Sequence, residues 1–223
     1  MIEKINQVID KHIEMYKSVN SSYELIKVTN DNWRVLLENE AAVARFLDNR
    51  IKENFGMYDF CMIYFIDKST NEITFSTCFI FFKPEQYDKI KFWHLNEHIR
   101  QLEKQSINSL FYQNHPDLIM TIGFTRNLKI TIGINRFFLK LAKELLSLNI
   151  FTFVETTGLL VLSDSFTSKS HLNLSQVNQV ILNSIGKTNN ASAPVENFCK
   201  KMGMVEQPLL FNIRTLGKVY IKI

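Results

Sequence analysis

The chain has 223 residues, of which 46% are hydrophobic and 22% charged, and its formal net charge at pH 7 is +4. This composition is typical of a globular domain, and the weak, interspersed charge argues against nucleic acid as a partner. A charged N-terminus, no long apolar run and three widely spaced cysteines predict a cytoplasmic protein without a membrane span or disulfide framework.

The first part of the chain predicts a helix, a strand and a second helix. Apolar residues recur at helical spacing between Ile2 and Tyr16, which predicts a helix over residues 1–18. The segment YELIKV at 23–28 predicts a short strand. Helical spacing resumes over residues 33–46, after polar residues that are suited to cap a helix.

Two apolar runs predict an antiparallel hairpin. They cover residues 59–67 and 73–82, and the turn-like segment KSTNE lies between them. Because both runs are apolar almost throughout, we expect the hairpin to be buried on both faces near its middle. The chain also contains 18 phenylalanines, which predict either a thick core or the lining of an apolar ligand channel.

The middle of the chain predicts a strand–loop–helix–strand unit. LIMTIGF at 118–124 predicts a buried strand, and the polar segment TRNLK at 125–129 predicts the loop that follows it. Apolar residues at helical spacing predict a helix over Ile134–Leu148, with Asn149 as its left-handed cap. IFTFVE at 150–155 predicts the next strand. So short a βαβ connection favours parallel pairing of the two strands.

The last part of the chain predicts a short helix and two terminal strands. Gly203 is suited to end a helix over Val195–Met202. Apolar runs predict strands at 209–214 and 218–223. Neither an internal repeat nor a low-complexity linker interrupts the sequence, so we expect one domain over residues 1–223.

From residue 23 onwards, the order of these elements resembles the GNAT acyltransferase superfamily. Two segments carry the resemblance, TRNLKITIGINRFFLKLAKELL at 125–146 and ASAPVENFCKKMGM at 191–204. It implies an α/β (α+β) fold, with a mixed, mostly antiparallel sheet flanked by helices and a helical extension at about residues 1–20. It also implies an acyl-CoA-dependent N-acyltransferase, which moves an acetyl or longer acyl group from acetyl-CoA or another acyl-CoA to an amine acceptor.

Segment 125–146 is similar to the loop that cradles the pyrophosphate of acyl-CoA in this family, of pattern Q/R-x-x-G-x-G/A. Gly133 matches the first glycine, while Ile130 and Asn135 stand at the other two motif positions. In such loops the free N–H groups and the positive dipole end of a helix bind phosphate. The resemblance implies a CoA-binding set of Phe124, Thr125, Arg126, Lys129, Thr131, Gly133, Ile134, Asn135 and Asn197. The alternative is that Gly133 only loosens the start of a helix.

Segment 191–204 is similar to the family's fourth helix, whose tyrosine protonates the leaving CoA thiolate. Cys199 stands at the position of that tyrosine, and its thiol is the implied proton donor. The alternative is a small, buried hydrophobic residue, which is a common role of cysteine. Glu155, at the end of a predicted strand, is the acid best placed to deprotonate the amine. Its alternative is a solvent-facing acid at a strand end, and the resemblance implies no metal ion.

Two other functions remain open from the sequence. The loop and Cys199 both depart from the family pattern, which favours a GNAT-like shell that has lost catalysis and serves as a binding or interaction module. His94, Glu97 and His98 match the pattern HxxEH, in which two histidines one helical turn apart bind Zn²⁺ and the glutamate acts as base. That pattern is short and needs a further ligand, so a zinc metallopeptidase is the second alternative.

Overall fold

A computed structural model describes residues 1–39, 56, 58–87, 114, 116–127, 131–155, 193–212 and 217–222. In chain order, its elements are α1 (Ile2–Val19), β1 (Tyr23–Thr29), α2 (Trp33–Asn39), β2 (Asp59–Asp67), β3 (Glu72–Phe82), α3 (Pro84–Tyr87), β4 (Ile119–Asn127), α4 (Ile132–Leu146), β5 (Phe151–Glu155), α5 (Ala193–Lys201), β6 (Val205–Asn212) and β7 (Gly217–Lys222). No described helix is long and apolar enough to cross a membrane.

The strands lie in the order β1-β2-β3-β4-β5-β7-β6 in a seven-stranded sheet. The pairings of β1 with β2, β2 with β3, β5 with β7 and β6 with β7 are antiparallel. The expected α+β class with a mostly antiparallel sheet is therefore confirmed. The specifically GNAT-like arrangement and the parallel pairing of β4 with β5 stay predictions.

The chain divides into two compact units. One consists of Met1–Phe82 with Met120–Ile150, and we call it the α1–α4 unit. The other consists of Lys83–Ile119 with Phe151–Ile223, and we call it the α5–β7 unit. The single domain expected over residues 1–223 stays a prediction.

The predicted hairpin is confirmed as β2 and β3, whose register pairs Met62 with Cys78. Successive residues along both strands are buried, so both faces of the hairpin are covered, as its apolar runs predict. Asp67 shapes the turn, because its Oδ1 accepts hydrogen bonds from the Ser69 backbone N–H at 2.8 Å and from Ser69 Oγ at 2.6 Å. Asn71 then adopts the left-handed conformation, with φ 54°, and leads into β3.

In the α1–α4 unit, the two helices for which it is named pack side by side. The ring of Tyr16 lies 5.4 Å from that of Phe137, and His12 Nε2 lies 2.7 Å from Glu144 Oε2. Because His12 precedes Tyr16 whereas Glu144 follows Phe137, the helices run in opposite directions. Phe65 of β2 completes an edge-to-face cluster, with its ring 5.2 Å from that of Phe137. These rings fix both helices against the hairpin.

Buried phenylalanine is the main feature of the core in both units. Each phenylalanine whose side chain falls within the described residues is buried. They are Phe60, Phe65, Phe75, Phe79, Phe81, Phe82, Phe137, Phe138, Phe151, Phe153 and Phe198. For these residues, the core is favoured over the lining of a ligand channel.

The predicted loop at residues 125–129 is wrong in its first part, because β4 continues to Asn127. Thr125 and Arg126 therefore have strand backbone. Strand preference depends strongly on context. Because β4 lies between two other strands of the sheet, its polar residues at 125–127 remain in the strand. The end of β4 is therefore closer to the start of α4 along the chain than the sequence predicts.

The predicted amphipathic helix is confirmed as α4, with shifted ends. It begins at Ile132 and not at Ile134, because the side chain of Thr131 caps the first turn. It ends at Leu146, and Asn149 follows in the left-handed conformation with φ 55°, as predicted. The N-terminus of α4 consequently lies close to the end of β4 along the chain.

In the α5–β7 unit, Gly203 ends α5 as predicted. Its φ is 68°, and the Met204 N–H reaches back to the carbonyl oxygen of Cys199 at 3.0 Å. β6 begins at Val205, earlier than the predicted start at 209. Its pairing with β7 is irregular between Glu206 and Phe211. Pro208 lies in this interval and has no N–H to donate, and proline is tolerated in a strand at such an irregularity. The predicted strand began only after this proline.

Candidate functional site

The N-terminus of α4 presents backbone N–H groups that have no acceptor in the described part of the chain. Thr131 caps the helix, because its Oγ1 accepts from the Ile134 N–H at 3.3 Å and its carbonyl oxygen from the Asn135 N–H at 3.0 Å. The N–H groups of Ile132 and Gly133 have no acceptor among the residues that the structure describes. The first turn also lacks an acidic side chain that would neutralise the positive end of the helix dipole. This end of α4 is therefore suited to an anion.

Gly133 leaves a gap that polar atoms surround. A Cβ atom built there would lie 3.5 Å from Asn20 Nδ2, 3.7 Å from Tyr16 Oη and 3.8 Å from Thr131 Oγ1. These are ordinary van der Waals distances, and the backbone at Gly133 is outside the left-handed region. Neither space nor conformation therefore requires glycine at this position.

The C-terminal end of α1 supplies two of these polar atoms. Asn20 Nδ2 donates to Tyr16 Oη at 2.9 Å, and Asn20 Oδ1 accepts from the Ser22 N–H at 3.1 Å. Burial, and then the neighbouring Tyr23, raise the pKa of the Tyr16 hydroxyl, so it stays protonated. Sequence reasoning missed both Tyr16 and Asn20. The apolar spacing of α1 predicts a helix but not the helix against which it packs.

Part of the implied CoA-binding set comes together at this end of α4. Thr131, Gly133 and Asn135 lie in the cap and first turn, where Asn135 is exposed. Ile134 lies in the same turn, but it is 0% exposed and its N–H is already bonded to Thr131. Ile134 therefore contributes packing and not a ligand contact.

No described contact brings the other implied CoA-binding residues to the N-terminus of α4. Phe124, Thr125 and Arg126 lie in β4, and their side chains are outside the part of the chain that is described. Lys129 is outside the described residues altogether. Asn197 is exposed on α5, which belongs to the other unit.

Cys199 occupies a site in α5 that does not favour proton donation. Its side chain is 0% exposed. Burial raises the pKa of the thiol to about 12, and the charge of Glu196 also raises it. A thiol that holds its proton so firmly is a poor donor to a thiolate whose ordinary pKa is about 8.5. These observations favour the packing role over the acid role.

A set of ionisable groups joins α5 to β6 and β7, and we call Glu196, Cys199, Glu206, Lys218 and Tyr220 the Cys199 network. Lys218 Nζ lies 3.6 Å from Glu196 Oε2 and 3.5 Å from Glu206 Oε2. Tyr220 Oη donates to Glu206 Oε2 at 3.3 Å. Burial first, and then the two glutamates, raise the pKa of Tyr220. Sequence reasoning did not predict this network, although charged residues in short terminal strands are a signal for it.

Two predicted features fall outside the described part of the chain. Glu155 is the last residue of β5, opposite Val219 in the register, but its side chain is not described. Its role as a base stays a prediction. The pattern HxxEH at 94–98 also lies outside the described residues. Within the described ranges, no group of three or more histidines, cysteines and acids is placed to hold a metal ion.

No family model, curated protein or solved structure matches this chain. The resemblance to GNAT acyltransferases therefore rests on the order of the elements and on the segments at 125–146 and 191–204. Of those segments, the structure describes the end of β4, the cap and length of α4, and α5 with its glycine end.

Proposed function

We propose that the chain is an acyl-CoA-dependent N-acyltransferase of the GNAT type. The observation that carries the proposal is the N-terminus of α4, which begins soon after the end of β4 along the chain. It offers the N–H groups of Ile132 and Gly133, which have no acceptor among the described residues. A helix N-terminus of this kind binds phosphate, and CoA carries a pyrophosphate. Ile132 is 80% exposed, so solvent and ligand reach this end of the helix.

The reaction needs little more than orientation and one proton acceptor. The lone pair of the amine attacks the thioester carbonyl carbon, the C–S bond breaks, and the amine nitrogen loses a proton. In the proposal, Glu155 accepts that proton directly or through one water molecule. CoA leaves as a thiolate, which is stable enough to take its proton from solvent because a thiol has an ordinary pKa of about 8.5. Cys199 then has no chemical step to perform.

Ligand binding and turnover test the proposal in sequence. Acetyl-CoA, longer acyl-CoAs and free CoA are each added to the protein during thermal unfolding. A ligand that binds only the folded state stabilises it by about 2.7 kcal/mol at 100 times its Kd. Release of free thiol is then followed with a panel of small amines, amino acids and peptides with free N-termini or lysines. Stabilisation by acyl-CoA with amine-dependent thiol release supports the proposal, and failure of every CoA species to stabilise the protein contradicts it.

A second function, a binding module that holds a CoA species without catalysis, is favoured by the state of Cys199. The residue is buried and its thiol pKa is raised to about 12, so the proton donor of the family is not replaced by an equivalent acid. Binding of CoA without turnover in a single-turnover reaction with any amine of the panel would favour the module. No observation among the described residues favours the zinc metallopeptidase.

A further inference from the structure

The hydroxyl of Tyr16 is a buried donor whose proton has no described acceptor. The Ser22 N–H donates to Asn20 Oδ1 at 3.1 Å, which orients the Asn20 amide with Nδ2 towards Tyr16. Tyr16 Oη therefore accepts the bond from Nδ2 at 2.9 Å, and its own proton must point elsewhere. Tyr16 is only 6% exposed. Within the described residues nothing accepts that proton, and such buried donors are uncommon in folded proteins.

The gap at Gly133 is the place on which these donors converge. Tyr16 Oη lies 3.7 Å and Asn20 Nδ2 3.5 Å from the position that a Cβ atom would take. The N–H groups of Ile132 and Gly133 begin the same turn and likewise lack acceptors among the described residues. Two side-chain donors of α1 and two backbone N–H groups of α4 thus lie at the first turn of α4, where Gly133 has no side chain. A group rich in acceptor oxygens has the complementary chemistry.

We propose that Tyr16 and Asn20, at the C-terminal end of α1, bind a phosphate group of the CoA thioester together with the N–H groups of Ile132 and Gly133. The identity of the ligand rests on the proposed function, whereas the donor set itself does not. The C-terminal dipole of α1 is unfavourable to an anion, so its contribution comes from the two side chains. α1 is then a part of the binding site and not a helical extension beside it.

Tyr16→Phe is the most direct test, with Tyr64→Phe as a control that removes a buried hydroxyl of β2 in the same unit, where it donates to Met62 Sδ. The probes are free CoA and inorganic pyrophosphate, and their Kd values are measured by calorimetry beside the melting temperature of each variant. If the hydroxyl proton serves only the ligand, Tyr16→Phe weakens binding of both probes by about tenfold. Its melting temperature falls a little, because Asn20 Nδ2 loses the hydroxyl oxygen as its acceptor, so Kd is measured well below that temperature. Tyr64→Phe binds both probes as the wild type does.

Asn20→Asp is a second test that retains the cap of α1. The new carboxylate still accepts from the Ser22 N–H, but it places a negative charge beside the gap at Gly133. We expect Kd for pyrophosphate to rise at least about tenfold, and the effect to shrink at 1 M salt, where charge interactions are screened. Val19→Asp is the control, since Val19 is the adjacent residue and is 83% exposed. It introduces the same charge away from the gap and changes Kd little.

Failure of this inference and failure of the proposed function give different results. If the wild type binds pyrophosphate but not CoA, and Tyr16→Phe weakens pyrophosphate binding, the donor set is an anion site and the acyltransferase proposal fails. If the wild type binds CoA and both Tyr16→Phe and Asn20→Asp bind it equally well, α1 does not contact the ligand and this inference is wrong. A wild type that binds neither probe also overturns it. A tenfold loss confined to Tyr16→Phe and Asn20→Asp supports it.

Discussion

The N-terminus of α4 and the Cys199 network differ in how completely their polar groups are satisfied. At the N-terminus of α4, two backbone N–H groups and the Tyr16 hydroxyl proton lack acceptors among the described residues. In the Cys199 network, Lys218 lies between two glutamates, Tyr220 donates to Glu206, and burial holds the Cys199 thiol protonated. Unsatisfied donors leave interactions for a ligand to make, whereas a satisfied network stabilises the fold. On the proposed function, the first region binds the ligand and the second stabilises the fold.

The largest expected effect concerns Glu155, the proposed base. Its substitution tests whether the α5–β7 unit contributes to catalysis. Glu155→Gln should lower the single-turnover rate of acyl transfer by about tenfold or more, since general base catalysis typically contributes 10²–10⁴. The affinity for CoA should remain as it is. Glu206→Gln is the comparison variant, and it should leave the rate within about twofold. A loss of rate in Glu206→Gln as large as in Glu155→Gln would make the Cys199 network catalytic and break the contrast.

Cys199→Tyr tests the packing role of the buried thiol by restoring the residue type of the family. Because Cys199 is 0% exposed, the larger side chain should overpack its surroundings and lower the free energy of unfolding by about 1–3 kcal/mol. Cys199→Ala should cost about 1 kcal/mol, a typical value for a core substitution. In both variants, the single-turnover rate per folded molecule should be unchanged. Denaturant unfolding beside the rate measurement checks this, and a rate that rises in Cys199→Tyr would show that position 199 donates a proton.

Gly133→Asp tests whether the gap at the N-terminus of α4 receives an anion. The introduced carboxylate would itself accept from Tyr16 and Asn20, and an acid in the first turn of a helix stabilises it by about 0.3–1 kcal/mol. We therefore expect a melting temperature equal to or above that of the wild type, together with a Kd for CoA raised at least about tenfold. Gly133→Ala, whose methyl group enters the same space without a charge, should weaken CoA binding less than Gly133→Asp does. Unchanged CoA binding in Gly133→Asp would place the pyrophosphate elsewhere.

How far the sequence predicts this molecule depends on the range of the interactions involved. The hairpin of β2 and β3, helix α4 and the glycine end of α5 follow from local patterns, and they are confirmed within a few residues. The helix begins earlier than predicted because a single hydrogen bond, from the Ile134 N–H to Thr131 Oγ1, decides its start. The sequence did not predict which side chains surround the gap at Gly133. It depends on Tyr16 and Asn20, which are more than a hundred positions away along the chain and reach it only through the antiparallel packing of α1 and α4.

The smallest expected effect concerns the opposite end of the same helix pair, where α1 is held to α4 by charge. Lys11 Nζ lies 2.8 Å from Glu144 Oε1 and His12 Nε2 lies 2.7 Å from Glu144 Oε2. The hydrogen bond from Lys11, and then that with His12, lower the pKa of Glu144. A carboxylate whose pKa is lowered by folding contributes stability above its unfolded pKa of about 4.3, and loses that contribution as the pH falls through the lower, folded value.

Acidification below about pH 4.3 should therefore lower the melting temperature of the wild type partly through Glu144, and Glu144→Gln should reduce this dependence. Because the Glu144 side chain is 34% exposed, solvent screens the pair and the effect at neutral pH should not exceed about 1 kcal/mol. Glu14→Gln is the matched control, since Glu14 lies on α1 and pairs only with Lys17 within the described residues. Melting curves between pH 3 and 7 distinguish the variants.

If α1 also binds the ligand at its other end, Glu144→Gln should leave the Kd for CoA unchanged at pH 7, since the Tyr16 and Asn20 contacts persist. A rise in Kd with Glu144→Gln would instead mean that docking of the whole helix, and not those two side chains, sets the affinity.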